Sequence, residues 1–444
     1  MLYLRLADHL RASCLALAPH SKMPSVRALA KEHQVNPSTV VAALKLLESE
    51  KVLYCRQGSG TYRAPHATLP LEHFEELRSA IDFTSGTPSP EYFPVADFKE
   101  AFNTVLDRDG GQAFAYPDPQ GYSPLRQSIA KYLSSQGMNL AADNIHITSG
   151  AQQAIFLLGQ LLLSPGDYVL MECPSYSGAL QVFAAAGAKI IGVPLGYQGL
   201  RPKELVQAQK HSPRLIYTIP NFHNPTGLSY SQDARQTLID YARRHNYYII
   251  EDDHITELYY TGTRPRSLWQ DAPDRVLYIK SFSKIFMPGL RLGFLVVPRE
   301  LSAALNKAKQ TVDLGSSGIT QRALQLYLES NKWLQHLDTL RSVYGERASG
   351  LYAALKNHLK GEAVFHPLRG GMNSWVGLPA DTHVPSLLKS AAEQGVSFTP
   401  GEQFNLPPYD YKNYLRLSIA ATSLEQIDAG IAIIAASLAR QCHQ

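Results

Sequence analysis

Cysteine is scarce in this chain, and its four copies, Cys14, Cys55, Cys173 and Cys442, stand far apart. None forms a CxxC pair or a zinc-ligand spacing, so the pattern reads as reduced thiols rather than a disulfide framework. His223 and His254 likewise lack partners at metal-ligand spacing, and no metal site is expected. Long apolar runs are missing too. The longest, at 154–163 and 430–439, fall well short of the roughly 18 residues that a membrane span requires. Arg5, Asp8, His9 and Arg11 interrupt the first helix-like segment and exclude a signal-peptide core. The expectation is a cytoplasmic protein with no membrane partner.

An excess of one charge sign is also absent, with 42 Lys and Arg against 38 Asp and Glu. Charged residues at 18% and hydrophobic residues at 45% exclude a disordered or low-complexity chain. At 444 residues the chain can bury a large core and divides into two or three domains. The charge is unevenly placed. Residues 1–70 hold nine basic side chains against four acidic ones, while the remainder is nearly neutral at −1. A short basic module on a neutral body points to a head that binds a polyanion.

The head reads as a winged helix-turn-helix. Leu6, Leu10 and Cys14 recur every four residues, as on one buried helical stripe. Pro24 and Ser25 open a second helix with Val26, Leu29 and Ala30 inward, and a turn at His33–Gln34 follows, with Val35 as an apolar plug. Asn36 and Pro37 form a helix start, because Asn accepts backbone N–H groups and Pro lacks only an N–H that would be unused there. Val40, Ala43, Leu44 and Leu47 then line one face, leaving Ser38 and Thr39 outward at the N-terminal end. Two strand-like runs around Gln57-Gly58-Ser59-Gly60 make a hairpin wing. The domain boundaries expected are 1–66 for this head, 67–80 for a linker containing Pro70, and 81–444 for the body.

From about Ile81 onward, apolar strand-like runs alternate with helical segments. Runs such as Tyr168–Glu172, Leu215–Ile219 and Arg275–Ile279 show little alternation, as in strands covered on both faces. The body is therefore a mostly parallel α/β sheet, with a smaller α+β lobe from about 322 to 444.

Ligands of such sheets sit at the carboxyl ends of strands. Those ends here carry Ser149-Gly150-Ala151-Gln152 opening a helix, Asn224-Pro225-Thr226-Gly227, Glu251-Asp252-Asp253-His254, and Lys280-Ser281-Phe282-Ser283-Lys284 followed by Arg291. A helix start for a phosphate, a carboxylate, an amide, a lysine between hydroxyls and an arginine together suit pyridoxal phosphate. Its aldehyde takes an amine, its ring nitrogen a carboxylate, its phenolic oxygen an amide donor, and its phosphate the cationic cradle.

The paired motifs Asn224-Pro225-Thr226-Gly227 and Ser281-x-Ser283-Lys284-x₄-Gly289-Leu290-Arg291-x-Gly293 resemble those of the fold-type-I aminotransferases. Head included, the chain from Leu2 to Thr422 resembles the MocR subgroup of GntR-type bacterial transcription regulators. The resemblance implies Lys284 as the Schiff-base lysine, Asp252 at the ring nitrogen, Asn224 at the phenolic oxygen and Tyr176 stacked on the ring. It implies Gly150, Ala151, Gln152, Ser281, Ser283 and Arg291 at the phosphate, with Tyr116 reaching a phosphate across a homodimer interface. Arg416 would grip a ligand carboxylate. In the head it implies DNA contacts by Arg27, Ser38 and Thr39, with Gly58 at the wing tip. His254 departs from the pattern, standing where the family usually has a tyrosine on the phenolic oxygen. Lys280, the competing lysine, is expected to be a surface charge at a strand end. Tyr116 taken alone would be core packing.

The implied function is a pyridoxal-phosphate-dependent regulator that reads promoter DNA. It would sense a small amine or amino acid, or the cofactor itself, by exchanging the Lys284 aldimine, and the ligand would alter how two heads of a dimer address DNA. The alternative is a working aminotransferase carrying an accessory head.

Overall fold

The computed structural model describes Tyr3, Leu6, Ala7, Leu10 and residues 21–33, 35–49, 52–56, 59–64 and 80–441. Cys14, Gln34, Gly58, Cys442, residues 65–66 and residues 67–79 of the expected linker lie outside these. The chain forms two compact units, Met1–Arg78 and Ser79–Gln444.

In the first unit, Ser25 Oγ accepts the Ala28 N–H at 3.2 Å and starts helix Val26–Glu32. Asn36 Oδ1 accepts the Ser38 N–H at 3.0 Å and starts helix Pro37–Ser49. The i, i+3, i+4, i+7 stripe expected from the sequence is the buried one. Val40, Ala43, Leu44 and Leu47 pack with Leu6, Leu10, Leu29 and Leu53. Strands β1 (Leu53–Arg56) and β2 (Gly60–Arg63) pair antiparallel as the wing, Leu53 opposite Arg63.

The second unit begins with the two-residue β3 (Ile81–Asp82). Its main sheet uses β4 (Ile145–Thr148), β5 (Tyr168–Cys173), β6 (Lys189–Gly196), β7 (Gly199–Leu200), β8 (Leu215–Thr218), β9 (Tyr248–Asp253), β10 (Val276–Ser281) and β11 (Gly293–Val296). The order is β4-β11-β10-β9-β8-β5-β6-β7, parallel from β10 to β6, with β11 and β7 antiparallel to their neighbours.

Successive strand residues point to opposite faces, and both faces are covered. Val169, Met171, Leu215, Tyr217 and Ile250 share one core with helices Ala151–Leu162 and Arg299–Gln310. Leu170, Ile216 and Ile249 share another with helices Pro202–Ala208 and Gln232–His245. This double cover is why these strands read as unbroken apolar runs.

The smaller lobe contains β12 (Asn373–Gly377), β13 (Val396–Ser397), β14 (Thr399–Pro400) and β15 (Tyr414–Ser418). A three-stranded sheet runs β12-β15-β14, and β13 pairs parallel with β3. The lobe thus draws on both ends of the unit rather than on 322–444 alone. Residue 322 itself falls inside helix Gly318–Glu329, which packs on helices Val95–Asp109 and Ser123–Ser135.

Candidate cofactor site

Beyond the carboxyl ends of the parallel strands lies a cavity of about 280 Å³. Asp252 reaches it from the end of β9, while Asp253, one residue on, faces away. The Tyr217 phenol of β8 donates to Asp252 Oδ2 at 2.6 Å, and Oδ1 is buried without a partner. Burial pushes the Asp252 carboxyl up to about 6, with the Tyr217 bond acting against the shift. A buried carboxylate oxygen lacking a donor suits a cationic ring nitrogen.

Lys284, three residues past β10, lines the same cavity, and its Nζ donates to the Gly86 carbonyl. Burial first, then the positive charges of Arg416 and Arg291, lowers the amine to about 8. It is thus far easier to deprotonate than an exposed lysine, as a nucleophilic amine requires.

The cradle for an anion forms around the start of helix Ala151–Leu162. Gly150 precedes it at φ 94, and a Cβ there would come within 3.0 Å of Arg291 Nη2. Arg291 Nη2 donates to the Ser149 carbonyl at 2.9 Å, and Ala151, Gln152, Ser281, Ser283 and Arg291 all line the cavity. Three further expected residues lie on its wall. Tyr176 donates to Gln152 Oε1 at 3.2 Å. Asn224 accepts from Arg416 Nη1 at 3.3 Å. His254 has both ring nitrogens shielded without partners, and burial lowers it to about 3, so the imidazole is neutral.

Arg416 also donates to the Thr84 carbonyl at 2.7 Å and Thr399 Oγ1 at 3.0 Å, above the Phe404 ring at 5.3 Å. Burial lowers it to about 10, against the opposing pull of Asp82, so it stays cationic.

Two expectations are corrected. Lys280 is not a surface charge: it is 1% exposed, donates to Asp253 Oδ1 at 2.9 Å and binds Glu257. β10 is an interior strand, so its end is covered, and Arg264 completes the cluster at 3.6 Å from Asp253. Burial alone would raise the Asp253 carboxyl, but Lys280 and Arg264 hold it well below the usual range. Tyr116 is not core packing either. It is 88% exposed and stands outside the cavity lining.

Tyr217, Gly86, Thr84, Thr399 and Phe404 were not singled out from the sequence. Only Tyr217 carried a signal, a phenol inside the otherwise apolar run Leu215–Ile219, which needs a buried partner. In the first unit Arg27 and Ser38 are exposed and Thr39 half-buried, with the Ser38 hydroxyl donating to Asn36 Oδ1 at 2.8 Å.

An unpaired carboxylate oxygen, a depressed lysine amine and an arginine beside a helix start fit pyridoxal phosphate, and fold and site together are those of a fold-type-I pyridoxal-phosphate protein. Residues 78–434 match the aminotransferase class I and II family, and residues 2–62 match the bacterial regulatory proteins of the gntR family. The chain belongs to the first family and carries a GntR-type head, the fusion of the MocR subgroup; its cofactor is pyridoxal 5′-phosphate.

It is 33% identical over 440 residues to the uncharacterized HTH-type transcriptional regulator YdfD of Bacillus subtilis (strain 168), covering 93% of this chain and 90% of that protein. It is also 33% identical over 380 residues to a 2-aminoadipate transaminase of Thermus thermophilus, covering 84% and 94%. Among solved structures, LysN, an α-aminoadipate aminotransferase from Thermus thermophilus complexed with N-(5′-phosphopyridoxyl)-L-leucine, superposes with a TM-score of 0.77 at 34% identity. That superposition covers 83% of this chain and 95% of LysN. Among the described residues no helix is long and apolar enough to cross a membrane.

Proposed function

We propose that this GntR-type protein regulates transcription by sensing a small amine or amino acid, or the cofactor itself, at Lys284. The observation that carries this reading is the easily deprotonated Lys284 amine sharing one cavity with Asp252, Arg291 and Arg416, in a chain that also has a gntR head. In this division residues 1–66 read promoter DNA, 67–80 connect, and 81–444 sense.

The cofactor supplies an aldehyde that condenses with primary amines and a ring that withdraws electrons once its nitrogen is protonated. The chain's own groups do the rest. Asp252, steadied by Tyr217, keeps a proton on the ring nitrogen. Asn224 and neutral His254 would serve the phenolic oxygen, and Tyr176 would lie against the ring. Gly150, Ala151, Gln152, Ser281, Ser283 and Arg291 hold the phosphate. Exposed Tyr116 reaches toward the second subunit of a homodimer. Arg416 takes the carboxylate of an amino-acid effector as a bidentate pair. Were an effector amine to take the place of the Lys284 amine, the lysine side chain would be freed and the lobes could settle differently around the ligand. Arg27, Ser38, Thr39 and the Gly58 wing tip contact DNA.

A second reading, a working aminotransferase with an accessory head, is favoured by the equal similarity to a transaminase. The deciding experiment measures binding of a promoter fragment by the holoprotein across a panel of amino acids, with keto-acid release followed in parallel. Amino-acid-dependent DNA binding that is lost in Lys284→Ala supports the regulator. Sustained keto-acid turnover with unchanged DNA binding overturns it.

A further inference from the structure

Away from the cofactor cavity, a second cavity of about 360 Å³ is lined by Arg235, Arg266 and Arg369 and by no acidic residue. Ser229, Thr261 and Thr263 line it as well, and so does Gln232, the first residue of helix Gln232–His245, whose start is capped by Ser231 Oγ on the Ala234 N–H and carries Asp233 in its first turn. Arg235 is 4% exposed and has no carboxylate at ion-pair distance among the described residues. Its guanidinium is held by the carbonyls of Tyr230, Arg266 and Pro220 at 3.2, 2.8 and 3.1 Å and by Asn221 Oδ1. These acceptors leave an Nη1 proton unused. Arg266 is half-engaged by Asp271 at 2.6 Å, and the Arg369 side chain is free of ion pairs among the described residues. Planar guanidinium forks and hydroxyl-bearing residues around one cavity suit a tetrahedral dianion.

The same residues contact two segments that line the cofactor cavity. Asn221, gripped by Arg235, lies three residues before Asn224, and Ser229 Oγ accepts the Phe222 N–H at 2.9 Å at the other end of that loop. Arg369 lies just before Met372 and Asn373, which line the cofactor cavity together with Asn224. The two segments touch, since a Cβ on Gly370 would strike the Phe222 ring.

We propose that this cavity is a second binding site, for a small phosphate-bearing metabolite, whose occupancy ties Arg369 to Arg235 and Arg266 and so sets the position of Asn224 against Asn373. The effect on the cofactor rests on the sensor reading above, whereas the binding itself does not.

The test is calorimetric titration of the full-length holoprotein with glycerol 3-phosphate and with inorganic phosphate at constant ionic strength. Saturable binding of either probe, weakened at least tenfold in the Arg266→Gln/Arg369→Gln double variant, is the expected result. Both side chains are exposed, so the double variant keeps the wild-type melting midpoint without ligand. Tighter binding of the ester assigns the site to a phosphometabolite, and equal binding assigns it to the free anion. The visible absorbance of the bound cofactor shifts on saturation in the wild type only. Undiminished binding in the double variant, or no saturable binding at all, overturns the site. So does binding that is lost in Arg291→Gln instead, which places the anion in the cofactor's phosphate cradle. Binding with unchanged absorbance overturns the coupling to Asn224.

Discussion

Replacing Tyr217 by phenylalanine removes the phenol that donates to Asp252 Oδ2 at 2.6 Å and leaves a buried carboxylate with neither oxygen partnered. A hydrogen bond to a charged group contributes about 1.5–3 kcal/mol, and one pKa unit corresponds to about 1.4 kcal/mol. The protonated carboxyl keeps about 1 kcal/mol of that bond, so only the remaining roughly 0.5–2 kcal/mol acts on the ionisation, and the folded-state value, about 6 in the wild type, rises to roughly 6.5–7.5 in the variant. Because the folded value lies above the ordinary 3.8, ionising Asp252 destabilises the fold. The penalty is absent below about pH 4, grows as pH rises, and is complete once pH passes the folded value. The variant therefore loses about 1 kcal/mol at pH 5, where the carboxyl is protonated in both proteins, and about 1.5–3 kcal/mol at pH 8. All three tryptophans, Trp269, Trp333 and Trp375, lie in the second unit, so their fluorescence during denaturant unfolding of the cofactor-free protein reports that unit alone. A loss equal at both pH values, or larger at pH 5, refutes the reasoning.

Capture of added cofactor speeds up as pH rises and levels off above about 8, because the neutral Lys284 amine is the reactive form; Arg416→Gln removes a neighbouring positive charge and moves the midpoint upward. Stopped-flow absorbance checks both, and a pH-independent rate contradicts them. Lys280→Met leaves Asp253 and Glu257 without their nearest cation and destabilises the second unit by about 3–5 kcal/mol, read from its denaturation midpoint. Wild-type stability in that variant contradicts the buried cluster. Arg27→Ala weakens DNA binding across all sequences and lowers the slope of log affinity against log salt by about 1, measured by anisotropy titration. An unchanged slope removes Arg27 from the phosphate contacts.

The legible parts of the sequence were those in which local chemistry and tertiary role coincide. The helix at Pro37–Ser49 announces itself by its Asn36 cap and one apolar stripe, and the same stripe is what the head buries. Asn224, Asp252 and Lys284 could be placed because strand ends in an open parallel sheet converge on one crevice. The burial of Lys280 is not legible in the sequence, because a lysine at a strand end looks solvated and the acids around it come from β9 and the segment after it. β3 is two residues long and pairs with a strand more than 300 positions away, so no local pattern marks it. Gly86 and Thr84 meet Lys284 and Arg416 through backbone carbonyls, a role that side-chain identity does not encode.

Borohydride reduction of the cofactor-loaded protein, followed by peptide mass spectrometry, tests the central claim most directly. The expected result is a phosphopyridoxyl group on the peptide containing Lys284 and its loss in Lys284→Ala. A modified Lys280, or a modification that survives Lys284→Ala, contradicts the account.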